Sequence, residues 1–234
     1  MPKNFSQSTK TALAVVVLAV TSLSSQSVAD DMSYVTLSAN AALTTEYRFR
    51  GLSLSNHDPA IQGGFDLSTK SGFYLGAWGS SIESYEGSEV ELDIYGGYAT
   101  EIGNGLTADV GLLAYTYPGS DGTAYLELYG SLSGAIDIVD WTVGAAYVWD
   151  QGNVGNTDNI YIYLDASMPL GDTPVSLDGH VAYEDGAFGD DKWDWSLGAS
   201  YSFEQYSLSV AYVDTNVEDS IGKAAVVATL SASF

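Results

Sequence analysis

The stretch VELDIYGGY, Val90–Tyr98, reads with a period of two. Val90, Leu92, Ile94, Gly96 and Tyr98 form one set; Glu91, Asp93, Tyr95 and Gly97 form the other. In an extended chain successive side chains point to opposite faces, so this stretch makes a strand with one apolar and one polar face. A helix would scatter the same residues around its axis. The alternation recurs at Leu106–Ala114, Ala124–Leu132, Ile160–Ala166 and Ala224–Phe234. Helical periodicity is hard to find anywhere in the chain.

Working outward, twelve such blocks are expected, near 38–52, 60–69, 73–83, 89–101, 105–117, 123–134, 140–150, 159–168, 174–184, 192–203, 206–214 and 222–234. About ten residues at about 3.3 Å rise and about 40° tilt cover roughly 25 Å, the apolar height of an outer membrane. An even number of amphipathic strands of that length predicts an all-β fold, an antiparallel up-and-down transmembrane β-barrel. The gaps alternate in length. Those at 53–59, 84–88, 118–122, 151–158, 185–191 and 215–221 are the longer set and carry Glu86, Asp121, Asp158, Asp185, Asp190, Asp191, Glu218 and Asp219. Long acidic loops on one side and tight turns on the other fit a barrel with its long loops outside the cell.

Aromatic placement gives a third indication. Trp193 and Trp195 sit at one end of a block, with Tyr201 and Phe203 at the other. Trp141 and Trp149 bracket a second block. Eight residues of tilted strand separate such pairs by roughly 20 Å, the spacing of two interfacial girdles. Twelve strands also imply a backbone radius of roughly 12 Å, too wide for these Ala- and Gly-rich apolar faces to fill from inside. The apolar faces are therefore expected to meet outer-membrane lipid.

The N-terminus carries an export signal. Lys3 and Lys10 precede the short apolar run TALAVVVLAV, and Ser27-Val28-Ala29 is a small-residue cleavage site. Residues 1–29 are expected to be a signal peptide and 30–234 the barrel, placed in the outer membrane of a Gram-negative bacterium. No later segment is apolar and long enough to span a bilayer as a helix. The chain holds seven basic and 30 acidic residues, for a net charge of −23. That disfavours nucleic acid as a partner, since phosphates need Lys and Arg. Without cysteine, disulfides and thiolate-bound zinc are excluded.

Against that acidity, TTEYRFRG at 44–51 concentrates two arginines. Alternation from Leu43 places Thr45, Tyr47 and Phe49 on the lipid face and Thr44, Glu46, Arg48 and Arg50 in the lumen. The same phase puts Asp66, Glu91, Asp93, Asp109, Glu127, Asp165, Asp178 and Asp194 in the lumen. Two roles fit the arginines. They pin the strand register by pairing with acids on neighbouring strands. Or they form one wall of a transverse field that selects solutes.

The runs LTTEYRFRGLSLS at 43–55, PAIQGGFDLS at 59–68 and SGFYLGAWGSS at 71–81 resemble the N-terminal signature of the TorF family of proteobacterial porins. The resemblance rests on Tyr47, Phe49, Arg50, Gly51 and Ser53, and on Pro59, Ala60, Gln62, Gly63 and Gly64. It implies an outer-membrane porin and assigns neither substrate nor functional residues. The ending ATLSASF, with Leu230 and terminal Phe234, resembles the signal read by the barrel-assembly machinery.

Motifs for chemistry are weak. His57 and His180 are the only histidines, and GSLSG at 130–134 has Leu132 where a nucleophile elbow needs Ser. DQGNVGNTDN at 150–159 lacks the spaced ligands of an EF-hand and reads as a solvated loop. No metal or cofactor is expected. Three readings remain: a passive channel for cations or small polar solutes, a non-conducting structural or adhesin-like barrel, and an outer-membrane lipase. Tyr95, Tyr115, Tyr117, Tyr125, Tyr129, Tyr161 and Tyr163 on the lumen face favour the second by filling the bore.

Overall fold

The computed structural model describes residues 35–120 and 124–234. The expected signal peptide lies outside the described residues. The chain begins with β1 (Val35–Thr44), followed by two short strands, β2 (Arg48–Phe49) and β3 (Leu52–Ser53). Next come β4 (Ala60–Thr69), β5 (Phe73–Tyr85), β6 (Ser88–Gly103), β7 (Leu106–Thr116) and β8 (Tyr125–Ile136). The series ends with β9 (Val139–Val148), β10 (Asn159–Pro169), β11 (Val175–Gly186), β12 (Lys192–Phe203), β13 (Tyr206–Thr215) and β14 (Ala225–Ser233). β1 and β4–β14 form a closed antiparallel barrel of twelve strands. Each pairs with its chain neighbour, and β1 closes the ring by pairing with β14 on one side and β4 on the other.

Register sorts the side chains into two populations. Leu164 pairs with Val143 and Val181, and all three are exposed on the outside. One residue on, Asp165 pairs with Thr142 and His180, and these face the interior. A slip of one residue would exchange the two faces, so the apolar exterior fixes the pairing. Water would penalise such an exterior and hydrocarbon does not. Trp193, Trp195, Tyr201 and Phe203 all lie on this outer surface, at 42–57% exposure.

The short turns are local chemistry. Asn104 and Gly105 both have positive φ (56° and 72°), the backbone of a two-residue type I′ hairpin. Glu86 and Gly87 (48° and 89°) make the same turn at the opposite end. There the expected loop at 84–88 is instead a tight turn, because β5 and β6 run on as a ladder to Tyr85 and Ser88.

The first block departs further. β1 leaves the wall at Thr44, which pairs directly with Ala60 at the start of β4. Residues 45–59 are therefore an excursion between two adjacent strands. They fold inward, and β2 and β3 form a small hairpin of their own inside the barrel. Tyr47 and Phe49, expected on the lipid face, are 4% and 1% exposed. They are interior residues, because a segment enclosed by the wall on all sides has no lipid face.

Candidate functional site

The inward hairpin is a two-residue turn built on Arg50-Gly51. Arg48 pairs with Ser53 and Phe49 with Leu52, while Arg50 and Gly51 take φ of 47° and 82°. Glycine is needed at 51 twice over. Its backbone is left-handed, and a Cβ there would lie 2.6 Å from the Asp194 Cβ. Arginine at φ 47° is an unfavourable choice held by its surroundings.

Those surroundings are two carboxylates from wall strands three apart in the ring. Arg50 Nη2 donates to Glu127 Oε2 on β8 at 2.6 Å, and Nη1 to Glu184 Oε1 on β11 at 2.5 Å. The guanidinium also stacks over the Tyr161 ring, 4.2 Å from its centroid. All these side chains are 2% exposed or less. Burial on this scale is tolerable because each charge is paired and hydrogen-bonded. The network extends on both sides. Lys192 Nζ lies 2.9 Å from Glu184 and 3.2 Å from Asp194, and donates to the Arg50 carbonyl at 2.5 Å. Asp194 faces His180 Nε2 at 3.1 Å, and His180 Nδ1 lies 2.6 Å from Asp165. Both imidazole nitrogens thus face carboxylates.

A second group holds the base of the hairpin. Tyr47 donates its hydroxyl to Glu91 at 2.7 Å and packs against Trp78, and Tyr117 donates to the other Glu91 oxygen at 2.8 Å. Arg48 Nε lies 2.8 Å from Glu46, and its amino groups donate to the Gly51, Ile221 and Lys223 carbonyls. This ties the hairpin to the loop between β13 and β14. Phe49 meets Tyr115 edge-on, and Tyr115 stacks on Tyr125.

Apart from His180 and Asp165, which lie deeper, these residues belong to the long-loop end of the barrel. Towards the short turns the interior changes character. Asp66, Asp109, Asp165 and Asp178 are part-exposed, and tyrosines and serines donate to three of them: Tyr95 to Asp66, Tyr74 to Asp109, Ser167 and Ser200 to Asp178. The bore is therefore filled at the long-loop end and wet at the other. Its wet half is lined by carboxylates, and Arg48, Arg50 and Lys192 all lie in the filled half.

The charged residues singled out in the sequence thus fall into two groups. Glu46, Arg48, Arg50, Glu91, Asp93, Glu127 and Asp194 gather around the hairpin; Asp66, Asp109, Asp165 and Asp178 line the wet half. The expected pairing of both arginines with acids on neighbouring strands is not what the structure has. Arg48 pairs within its own segment, and Arg50 spans β8 and β11. Glu184 and Lys192 escaped notice in the sequence. Their even numbers share the phase of Asp178 and Asp194, which was the available signal.

The profile of a bacterial family of unknown function, Gcw_chp, matches residues 28–234. The chain belongs to the Gcw_chp family. No curated protein sequence matches it. Among solved structures, it is similar to the KdgM porin, with a TM-score of 0.60 at 6% identity over 84% of this chain and 98% of that one. A KdgM porin in complex with disordered oligogalacturonate matches with a TM-score of 0.58, at 6% identity over 85% and 97% of the two chains. The NanC porin matches with a TM-score of 0.53, at 10% identity over 85% and 99%. At these identities the likeness is one of fold, the closed all-β barrel of outer-membrane porins.

Proposed function

We propose that this protein is a porin-type channel of the Gram-negative outer membrane, as its resemblance to the TorF porins implies, passing small polar solutes with a preference for cations. The observation that carries this is the wet, carboxylate-lined half of a closed barrel with an apolar exterior. The exported leader, the outward aromatics Trp141, Trp149, Trp193, Trp195, Tyr201 and Phe203, and the terminal Leu230 and Phe234 fit the same location. They supply a lipid belt and an assembly signal. The KdgM complex holds an oligogalacturonate, which is an anion. The interior here repels anions, so neutral or cationic solutes suit it better. The inward hairpin acts as a gate in this reading.

The filled long-loop end favours a second reading, a barrel that never conducts. His180 does not support a lipase, since its ring nitrogens are engaged by Asp165, Asp194 and Tyr161. Reversal potential in a planar bilayer under a KCl gradient separates the two main readings. Stepwise currents with a cation-selective reversal potential are expected. Anion selectivity, or silence from a folded barrel even after the hairpin is removed, would overturn the channel.

A further inference from the structure

Arg50 sits in a place that resembles a ligand site more than a structural ion pair. Its guanidinium is gripped by one carboxylate on each side and capped by the Tyr161 ring. The residues that grip it come from β8, β10 and β11, rigid wall strands. The residue gripped comes from a loop excursion with a left-handed, unfavourable backbone at the very position of contact. The cradle belongs to the barrel wall and the cation to the inward hairpin.

A second observation points the same way. Asp93 is 2% exposed, and its Oδ1 has no hydrogen-bond partner. It shares the interior face of β6 with Glu91. A buried carboxylate oxygen with unused acceptor capacity is expensive unless something else binds it.

We infer that Glu127 and Glu184, with Tyr161 as a cation–π face, form a binding cradle for a solute bearing a guanidinium or ammonium group. In the closed barrel Arg50 occupies that cradle as the protein's own stand-in. Entry of such a solute and release of the hairpin are then one exchange, a cation for a cation, with no net change in buried charge. This names the solute class of the proposed channel and rests on that reading for its physiological meaning. The cradle itself can be tested without conduction.

The experiment is chemical rescue of Arg50→Ala. The variant removes the stand-in, leaving Glu127 without a cationic partner and Glu184 with Lys192 alone. Thermal unfolding of the refolded barrel in detergent is followed by heat-modifiable gel migration, with low-millimolar guanidinium chloride against equal sodium chloride and equal urea. The expected result is a midpoint several degrees higher with guanidinium than with either control. The gain should vanish in Arg50→Ala/Glu127→Gln/Glu184→Gln. Should Arg50→Ala fail to fold, refolding yield in the same three solutions is the readout, with guanidinium expected to raise it several-fold. Equal behaviour in guanidinium, urea and sodium, or a rescue that persists without the two carboxylates, would overturn the cradle. Rescue in a barrel that never conducts would sink the channel and keep the cradle; conduction without rescue would do the reverse.

Discussion

Gly51 and Arg50 show how much one dipeptide decides. Both residues have positive φ, so the chain reverses within two residues and returns inside the barrel. Gly105 offers a control, because it too has positive φ, of 72°, but its added Cβ would meet nothing within 4 Å. Gly105→Ala should cost about 1 kcal/mol of conformational strain, while Gly51→Ala should cost about 2–4 kcal/mol because it adds a clash with Asp194. Urea unfolding of the two variants in lipid vesicles measures the difference, and equal midpoints would refute it. This residue-scale feature was the part of the site least legible in the sequence. Alternation put Arg48 and Arg50 inside, where they are, but it also put Tyr47 and Phe49 in lipid. Period two assumes that the wall continues. Arg-Gly as a hairpin turn was the signal that it does not, and it is weaker than the Asn-Gly of residues 104–105.

At the scale of the strand the sequence was far more informative. β4 and β12 begin and end where alternation places them, at Ala60–Thr69 and Lys192–Phe203. The reason is physical. Each wall strand separates lipid from a polar interior, so every second residue is constrained, and a break in the pattern marks a turn. The same constraint predicts unequal tolerance of charge along one sheet. Leu164 lies at the middle of β10 on the outer face, and Leu164→Arg should destabilise the barrel by about 2–4 kcal/mol. Ser133→Arg, on the part-exposed interior face of β8, should cost no more than about 1 kcal/mol, since water reaches it. Folding equilibria in vesicles compare them. A similar cost at both positions would mean that the outer face is not in hydrocarbon.

For the whole molecule the decisive property is the asymmetry of the bore, filled at the long loops and wet at the short turns. Alternation could not reveal it, because it assigns a face and not a depth, and the filling comes from a loop that leaves the wall. Thr44 and Ala60 are paired, so residues 45–59 can be replaced by an Asn-Gly turn that joins β1 to β4 directly. The shortened protein should fold, because all twelve wall strands keep their partners, and it should conduct in larger and steadier steps than the intact chain. Selectivity then reports the wall. With the arginines gone, Asp66, Asp109, Asp165 and Asp178 face the solution without a competing cation from the hairpin. The reversal potential should favour K⁺ over Cl⁻ more strongly than in the intact protein. Asp109→Asn with Asp178→Asn should move it towards zero. Raising the salt from about 0.1 M to about 1 M should do the same, as the screening length falls from about 10 Å to about 3 Å and no longer spans the bore. A shortened barrel whose selectivity ignores both the aspartates and the salt would show that the carboxylates do not govern permeation.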